Sequence, residues 1–179
     1  MSATYDVVLL VEQALTVEDA RNLLSLHEEL DDPVVYHVLL PLEDAAARIE
    51  ASMGGLSGGE LMGNPTIGMQ EADIEAVRKD SQEQSDDELA ATLAALREAG
   101  GTADGKVVGD DPIEALSAEV SAVDGREAII LTRSHVVSEF FHLDWTSRAR
   151  RKIGVPVLHL LEHENFDEQA GSGEGVTGL

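Results

Sequence analysis

Two strand patterns with a helix pattern between them constrain the fold of this chain more than any other feature of its sequence. The runs YDVVLLV (residues 5–11) and VVYHVLL (residues 34–40) are almost continuously apolar, as strands buried on both faces of a parallel sheet are. Between them, Thr16 and Asp19 form a capping-box pattern, and apolar residues follow at helical spacing as far as Leu30, where Asp-Asp-Pro ends the predicted helix. A strand–helix–strand unit of this length implies a right-handed crossover between parallel strands.

The same alternation continues along the rest of the chain. Strand patterns recur at residues 105–109, 128–132 and 155–161. Helix patterns are found at residues 43–53, at residues 72–99 with a capping box at Ser85 and Glu88, after the N-cap Asp111, and after a further N-cap, Asp144. Strands that alternate with helices predict an α/β fold, a doubly wound five-stranded parallel sheet with helices on both faces. Such sheets bind ligands beyond the carboxyl ends of their strands.

The composition allows one domain with polar segments attached to it. Hydrophobic residues make up 43% of the 179 residues, as in a globular chain, and we expect residues 1–162 to form a single α/β domain. Residues 54–70 are rich in glycine and predict a flexible insertion. Its LSGGE segment matches a loop of ATP-binding cassette transporters, but the sequence lacks the Walker A motif with which that loop works. Residues 163–179 lack apolar periodicity and predict a disordered acidic tail.

Acidic residues dominate the charge of the chain. The sequence has 35 aspartates and glutamates against 12 lysines and arginines, which gives a net charge of −23. Such a chain repels nucleic acid and anionic membranes, so neither is an expected partner. Its scarcity of lysine suits a salt-rich cytoplasm, as in a halophile, but also follows from a high-GC genome. Because the sequence has no signal-peptide pattern and no apolar run of about 20 residues, we expect a cytoplasmic protein.

Positive charge is concentrated in one stretch of the chain. Residues 126–152 carry six arginines and lysines against three acidic residues. Within this stretch, Arg133, Arg148 and Arg151 are candidates to bind a small anion or an acidic partner. Carboxylates of the chain itself could equally neutralise these arginines, and the sequence leaves both interpretations open.

The sequence offers no convincing catalytic or metal-binding constellation. It has no cysteine, which excludes disulfides, thiolate metal sites and cysteine nucleophiles, and it has no HExxH or GxSxG motif. Ser134 and His135 are sequence neighbours without an obvious orienting acid. His159 and His163 are four residues apart, but His159 lies in a predicted strand, so helical ligand geometry does not apply. We therefore expect neither an enzyme nor a metalloprotein.

Several short segments, taken in order, resemble the universal stress proteins. VVYHVLLP, with its His37-Val38 pair, is similar to the second strand of that family, and VVGDDPIEAL is similar to the entry to its third helix. AIILTRSH and the later PVLHL are similar to its fourth strand and loop and to its closing strand. The resemblance covers residues 4 to about 162. It implies a Rossmann-like sheet of the adenine-nucleotide alpha-hydrolase type with strand order 3-2-1-4-5, and a homodimer formed through the strand at residues 155–161.

The phosphate-binding motif of the family is altered in this sequence. In nucleotide-binding members it reads Gly-x2-Gly-x9-Gly-Ser/Thr, because glycines let backbone amides approach the phosphates. Its four positions fall on Leu131, Ser134, Asp144 and Trp145, and the family aspartate that ends the first strand falls on Glu12. A carboxylate at position 144 would stand where a phosphate binds. At about 4 Å and an effective dielectric of about 20, two like charges repel by about 4 kcal/mol, which corresponds to a roughly thousandfold loss of affinity.

The resemblance therefore implies a vestigial or modified nucleotide pocket. We expect a universal-stress-like regulatory or stress-response protein that acts as a homodimer and does not use ATP as a cofactor in the usual way. The alternative is a protein that binds ATP or AMP through a modified loop, in which Thr146 or Ser147 supplies the hydroxyl and Arg133 the counter-charge. The residues expected to line the pocket are Glu12, His37, Val38, Thr132, Arg133, Ser134, His135, Asp144, Trp145 and Thr146.

Overall fold

The computed structural model describes residues 4–42, 71–109, 111–132 and 151–161. The predicted helix that precedes the glycine-rich insertion, the insertion itself and the acidic tail lie outside these residues. The predictions for these segments, and for a single domain, stay predictions. The predicted site residues outside the described part are Arg133, Ser134, His135, Asp144, Trp145, Thr146 and Arg148.

Within the described ranges, five strands form one parallel sheet. They are β1 (Tyr5–Val11), β2 (Val34–Pro41), β3 (Thr102–Val108), β4 (Glu127–Thr132) and β5 (Val157–Leu161). Their order across the sheet is β3-β2-β1-β4-β5, and every neighbouring pair is parallel. The predicted α/β fold and the predicted strand order are therefore confirmed. Because the chain builds outward from β1 in both directions, the topological switch point lies between β1 and β4.

In the described part of the chain, three helices cover the two faces of the sheet. They are α1 (Val17–Ser25), α2 (Glu71–Glu98) and α3 (Pro112–Val123), and residues 151–153 before β5 are also helical. On one face, Leu23 of α1 and Leu96 of α2 belong to the same buried cluster as Leu9 and Leu131 of the strands. On the other face, α3 and Ile153 cover the alternate strand residues. The central strands are thus buried on both faces, as their continuous apolar runs predicted.

Polar side chains determine where α1 and α3 begin. The Thr16 hydroxyl accepts a hydrogen bond of 3.1 Å from the backbone N–H of Asp19, and the Asp19 carboxylate accepts one of 3.2 Å from the backbone N–H of Thr16. The predicted capping box is therefore confirmed. The Asp111 carboxylate accepts from the backbone N–H groups of Ile113 and Glu114, which confirms it as the N-cap of α3.

The prediction that α1 extends to Leu30 is wrong. The helix ends at Ser25, and Leu30 lies beyond it with 41% of its surface exposed. The backbone N–H groups of His27 and Leu30 bond carbonyls three residues back, which is the geometry of turns. The buried His27 side chain is meanwhile held against the sheet by Tyr36. This tertiary contact overrides a local apolar spacing that on its own favours more helix.

The prediction that Ser85 caps a helix is also wrong. Ser85 lies in the middle of α2, which is continuous over Glu71–Glu98, and its side chain is buried. A capping box needs extended backbone at its serine, whereas burial of Leu96 and partial burial of Leu89 hold this segment of α2 on the sheet. Packing therefore overrides the capping pattern, and the serine becomes a small residue on the buried side of the helix.

The limits of the two outer strands differ slightly from their predicted limits. β3 begins at Thr102 rather than at residue 105. The sequence did not predict this earlier start, because Asp104 and Gly105 are exposed and form no apolar run. β5 begins at Val157 rather than at residue 155. Both strands lie at edges of the sheet, where sequence patterns are weakest because only one side of the backbone is paired.

Candidate functional site

Glu12 and Thr132 lie at the carboxyl edge of the sheet, beside its switch point. Glu12 directly follows β1, and Thr132 is the last residue of β4. Val11 and Leu131 are register partners, so the two predicted pocket residues end neighbouring strands at the same level. Open α/β sheets bind their ligands at this edge. The structure thus brings these two residues together where the sequence predicted a pocket.

The first position of the expected phosphate motif is a core residue. Leu131 is 0% exposed. It belongs to the buried cluster beneath α1 and α2, together with its register partners Val11 on β1 and Leu160 on β5. A glycine at this position would let a ligand approach the backbone closely. The leucine side chain serves packing instead.

The hydroxyl of Thr132 is engaged by the neighbouring strand. Its Oγ1 atom lies 2.8 Å from Nε2 of His159 on β5, and Thr132 itself is buried. Burial lowers the pKa of His159, so its ring is neutral near pH 7 and carries one donor and one acceptor nitrogen. The last hydroxyl before the expected phosphate loop is therefore part of a contact between β4 and β5.

His37 and Val38 lie deeper in the sheet than Glu12 and Thr132. Val38 is completely buried and is the register partner of Leu9, well inside β1. The His37 ring lies on the opposite face of β2 and bonds two carboxylates. The structure does not bring this pair to the carboxyl edge with the other two residues.

The His37 ring bridges β1 and β3. Nε2 lies 2.8 Å from Oδ1 of Asp6, and Nδ1 lies 2.9 Å from Oδ1 of Asp104. The other carboxylate oxygen of Asp6 accepts a 2.6 Å hydrogen bond from the Thr4 hydroxyl. Burial alone lowers the pKa of His37, but the hydrogen bonds to Asp6 and Asp104 outweigh it and raise the pKa above its ordinary value. These residues form the His37 cluster, on the α3 side of the sheet.

A second buried histidine lies on the other side of the sheet. The Nδ1 atom of His27 is 2.8 Å from the Tyr36 hydroxyl, and Nε2 contacts the carboxylate of Glu127 at the start of β4. Tyr5 stacks obliquely on the same ring. Burial, with the nearby Glu127 charge, raises the pKa of Tyr36 well above its ordinary value, so its phenol stays protonated. A neutral imidazole satisfies both contacts of this His27 cluster, since it donates to the carboxylate and accepts from the phenol.

Reasoning from the sequence missed both histidine clusters. His37 was noticed only as half of a His-Val pair, and His27 stood in a predicted helix. The available signal was the odd polar residue in an otherwise apolar strand, because a buried histidine needs partners for its ring nitrogens. That signal does not identify the partners, since Asp104 lies 67 positions from His37 and Glu127 lies 100 positions from His27.

Further expectations concern anions, metals and membranes. Of the expected anion patch, the structure describes Arg151, which is exposed in the helical turn before β5, so the patch as a whole stays a prediction. In the residues that the structure describes, no group of three or more histidine or carboxylate side chains could hold a metal ion. Among the helices in the described ranges, none has the length and apolar character that a membrane span needs.

Sheet topology and the residues at the carboxyl edge define the class of an open, Rossmann-like α/β protein. No family model and no curated protein matches the chain. Among solved structures, that of a hypothetical protein designated MJ0577 is similar, with a TM-score of 0.60 and 12% identity over 89% of this chain and 97% of that chain.

Two further similar structures are of universal stress proteins. One, from Arabidopsis thaliana with AMP bound, has a TM-score of 0.49 at 12% identity, over 90% of this chain and 94% of that chain. Another, from Archaeoglobus fulgidus, has a TM-score of 0.47 at 12% identity, over 87% of this chain and 93% of that chain. At such identities a structural likeness concerns the fold. The described residues have the five-stranded fold with strand order 3-2-1-4-5 that the resemblance to universal stress proteins implied.

Proposed function

We propose that this chain is a universal-stress-like regulatory protein that acts by association, as a homodimer, and does not bind ATP in the usual way. The part of the proposal that concerns ATP rests on the first two residues of the expected phosphate loop, whose side chains already have other contacts. Leu131 is packed in the core and the Thr132 hydroxyl is engaged by His159. A nucleotide that approached this backbone would have to displace core packing or break that contact.

The sequence of the following loop supports the same proposal. Asp144 and Trp145, which lie outside the described residues, replace the glycine and the small hydroxyl of the family motif. A carboxylate and a bulky indole are poor neighbours for a phosphate, because one repels its charge and the other fills its space. Together with Leu131, they change the motif at both of its ends.

The homodimer is supported by the position of β5 at one end of the five-stranded sheet that the described residues form. The backbone N–H of Ala128 donates to the carbonyl of Pro156, so the backbone of Pro156 faces β4. By the alternation of a strand, the N–H and C=O groups of Val157 and His159 face away from the sheet. A second copy of β5 could pair with these groups around a two-fold axis, which is a common way to bury an apolar sheet edge.

A calorimetric titration of the full chain with MgATP and with AMP tests the nucleotide half of the proposal. We expect no binding in the micromolar range. Micromolar affinity for either nucleotide would overturn this half and establish the alternative, an ATP- or AMP-binding protein with a modified loop.

A double variant locates the cause of weak binding. If Asp144 and Trp145 close the pocket, Asp144→Gly combined with Trp145→Ser should gain measurable affinity for MgATP. Arg148→Gln, in the same stretch but outside the four motif positions, serves as the control and should gain none. A double variant that binds no better than the control would assign the loss to Leu131 and the packed start of the loop.

A further inference from the structure

The two contacts of His37 require a particular protonation state. An ionised carboxylate can only accept hydrogen bonds, and each ring nitrogen of His37 faces one, Asp6 on one side and Asp104 on the other. A neutral imidazole has a single N–H and would turn a lone pair toward the second carboxylate. The geometry of the His37 cluster is therefore that of an imidazolium, with a proton on both nitrogens.

The three residues belong to three neighbouring strands. Asp6 lies near the start of the central strand β1, His37 lies in β2, and Asp104 lies in the edge strand β3 as the direct register partner of His37. Ring and carboxylates thus form a line across the amino-terminal half of the sheet. We propose that Asp6, His37 and Asp104 form a proton-dependent clasp, in which a proton bound by His37 ties β3 to the centre of the sheet and its loss releases the amino-terminal end of β3.

The other charged groups near His37 leave this assignment intact. On β3, Lys106 contacts Glu119 of α3, so these two charges neutralise each other beside the clasp. Arg126, ahead of β4, lies near Asp6 and favours its ionised form. At the end of α3, Asp124 is exposed. The two carboxylates that touch the ring are therefore the groups that hold its proton.

The clasp stabilises the fold within a limited pH range. Burial raises the pKa of Asp6, but the hydrogen bonds from His37 and Thr4 outweigh it and leave the pKa below 3.8. The contribution of Asp6 is thus present above that value and is lost as the pH falls through the lower, folded pKa. The pKa of His37 is raised above 6.5, so its contribution is complete below 6.5 and is lost as the pH rises through the higher, folded pKa. The clasp is closed between these limits and opens on the alkaline side.

NMR titration of the His37 ring in the intact protein tests the clasp directly. We expect a titration midpoint above that of a histidine in a peptide, and the ring nitrogen shifts of an imidazolium at pH values below that midpoint. Asp104→Asn should move this midpoint to lower pH, because it removes one negative acceptor from a side chain that is 68% exposed and can be changed without disturbing the core. Asp87→Asn removes the same charge from the exposed surface of α2 and should leave the midpoint unchanged.

Two results would overturn the clasp. A His37 midpoint at or below that of a histidine in a peptide would show that one carboxylate is not a true acceptor. An equal shift of the midpoint in Asp104→Asn and Asp87→Asn would show that only the general negative charge of the protein acts on His37.

Hydrogen exchange tests whether the proton holds the edge strand. Protection factors, corrected for the intrinsic effect of pH, should fall for amides in the amino-terminal half of β3 as His37 deprotonates, while those of the central β4 amides stay constant. In Asp104→Asn, the β3 amides should already show the lower protection at pH 7. A parallel change in β3 and β4 would mean global destabilisation, and unchanged protection in β3 would mean that the backbone ladder alone holds the strand. Either outcome contradicts the proposal.

Discussion

β3 and β5 lie at the two ends of the sheet that the described residues form, and they differ in chemistry. β3 exposes Asp104 and Lys106, and its charged side chains contact His37 and Glu119 of the neighbouring elements. β5 is apolar apart from His159. Charged side chains along an edge discourage pairing with another strand, whereas an apolar edge favours it. For the proposed homodimer, the comparison favours pairing through β5 rather than through β3.

The two strands are also held to the sheet by different forces. β5 contributes one completely buried side chain, Leu160, to the cluster beneath α1 and α2, and the buried Val157 to the cluster on the other face. β3 contributes Ala103 and Val108 to the cores but relies also on polar contacts and on a close backbone approach at Gly105. Substitutions in the two strands should therefore act through different mechanisms and with different magnitudes.

The largest expected effect is that of truncating the core side chain of β5. Leu160→Ala should lower the free energy of unfolding by about 2–5 kcal/mol, because it leaves a cavity at a completely buried site. Val107→Ala, at a half-buried site of β3, should cost clearly less. Urea unfolding at one fixed protein concentration measures both. Equal losses would contradict the view that β5 is the strand held by packing. Because Leu160 is completely buried, a charged residue at this position would unfold the chain. Loss of association in such a variant would therefore not identify the dimer interface.

A smaller effect is expected where β3 approaches β2 most closely. A Cβ atom added at Gly105 would lie 2.6 Å from the carbonyl oxygen of Val38 and 2.8 Å from its Cβ. Gly105→Ala should therefore cost about 1–3 kcal/mol through overpacking. Gly109→Ala is the matched control, since no atom of the described residues lies within 4 Å of its added Cβ. Thermal unfolding of the two variants should differ, and two neutral substitutions would show that β3 can shift freely.

Disrupting the side of β5 that faces away from β4 should weaken the proposed dimer. His159→Pro removes an outward N–H, and we expect at least tenfold weaker association in analytical ultracentrifugation, or about 1.4 kcal/mol. His159→Gln keeps the N–H and should stay dimeric, which separates the backbone group from the imidazole.

A proline on the other edge completes this comparison. The N–H of Leu42 donates to the carbonyl of Val108, so the N–H of Val107 faces outward from β3. Val107→Pro should therefore leave association through β5 intact. Dissociation in Val107→Pro but not in His159→Pro would move the interface to β3.

The smallest expected effect concerns the surface charges of β3. Lys106→Gln removes an ion pair with Glu119 whose lysine side chain is 57% exposed. We expect a loss of about 1 kcal/mol that shrinks in high salt, because solvent and ions reach the lysine, although only 14% of the Glu119 side chain is exposed. Chemical unfolding in low and high KCl measures it. A loss that stays constant in salt would indicate that Lys106 acts through packing of its aliphatic stem.

Local pattern was sufficient to predict most of the sheet, because runs such as residues 5–11 are apolar on both faces and only a buried parallel strand uses such a run. The caps at Thr16 and Asp111 could also be predicted from the sequence, since a cap is a contact between residues two or three positions apart. The early start of β3 and the early end of α1 could not be predicted from local pattern. Both depend on partners that are distant in the sequence.

The candidate site could be predicted only in part for the same reason. The positions of Glu12 and Thr132 follow from the general rule that strand ends meet at one edge of a parallel sheet. The engagement of Thr132 by His159, and of His37 by Asp6 and Asp104, depends on which strands become neighbours and in which register. A sequence pattern predicts where the strands lie, whereas these contacts depend on how the strands pair and in which register.

The two histidine clusters differ in when they can form during synthesis. All three members of the His37 clasp lie within the first 104 residues. The longest link in it joins His37 and Asp104, which are 67 positions apart. The His27 cluster needs Glu127, 100 positions downstream. Since the chain is synthesised from the amino terminus, β1, β2 and β3 emerge before β4, and the clasp can form among them without β4. The contact between His27 and Glu127 can form only after β4 pairs with β1. This contact therefore shows that β1 has both of its neighbours, β2 and β4.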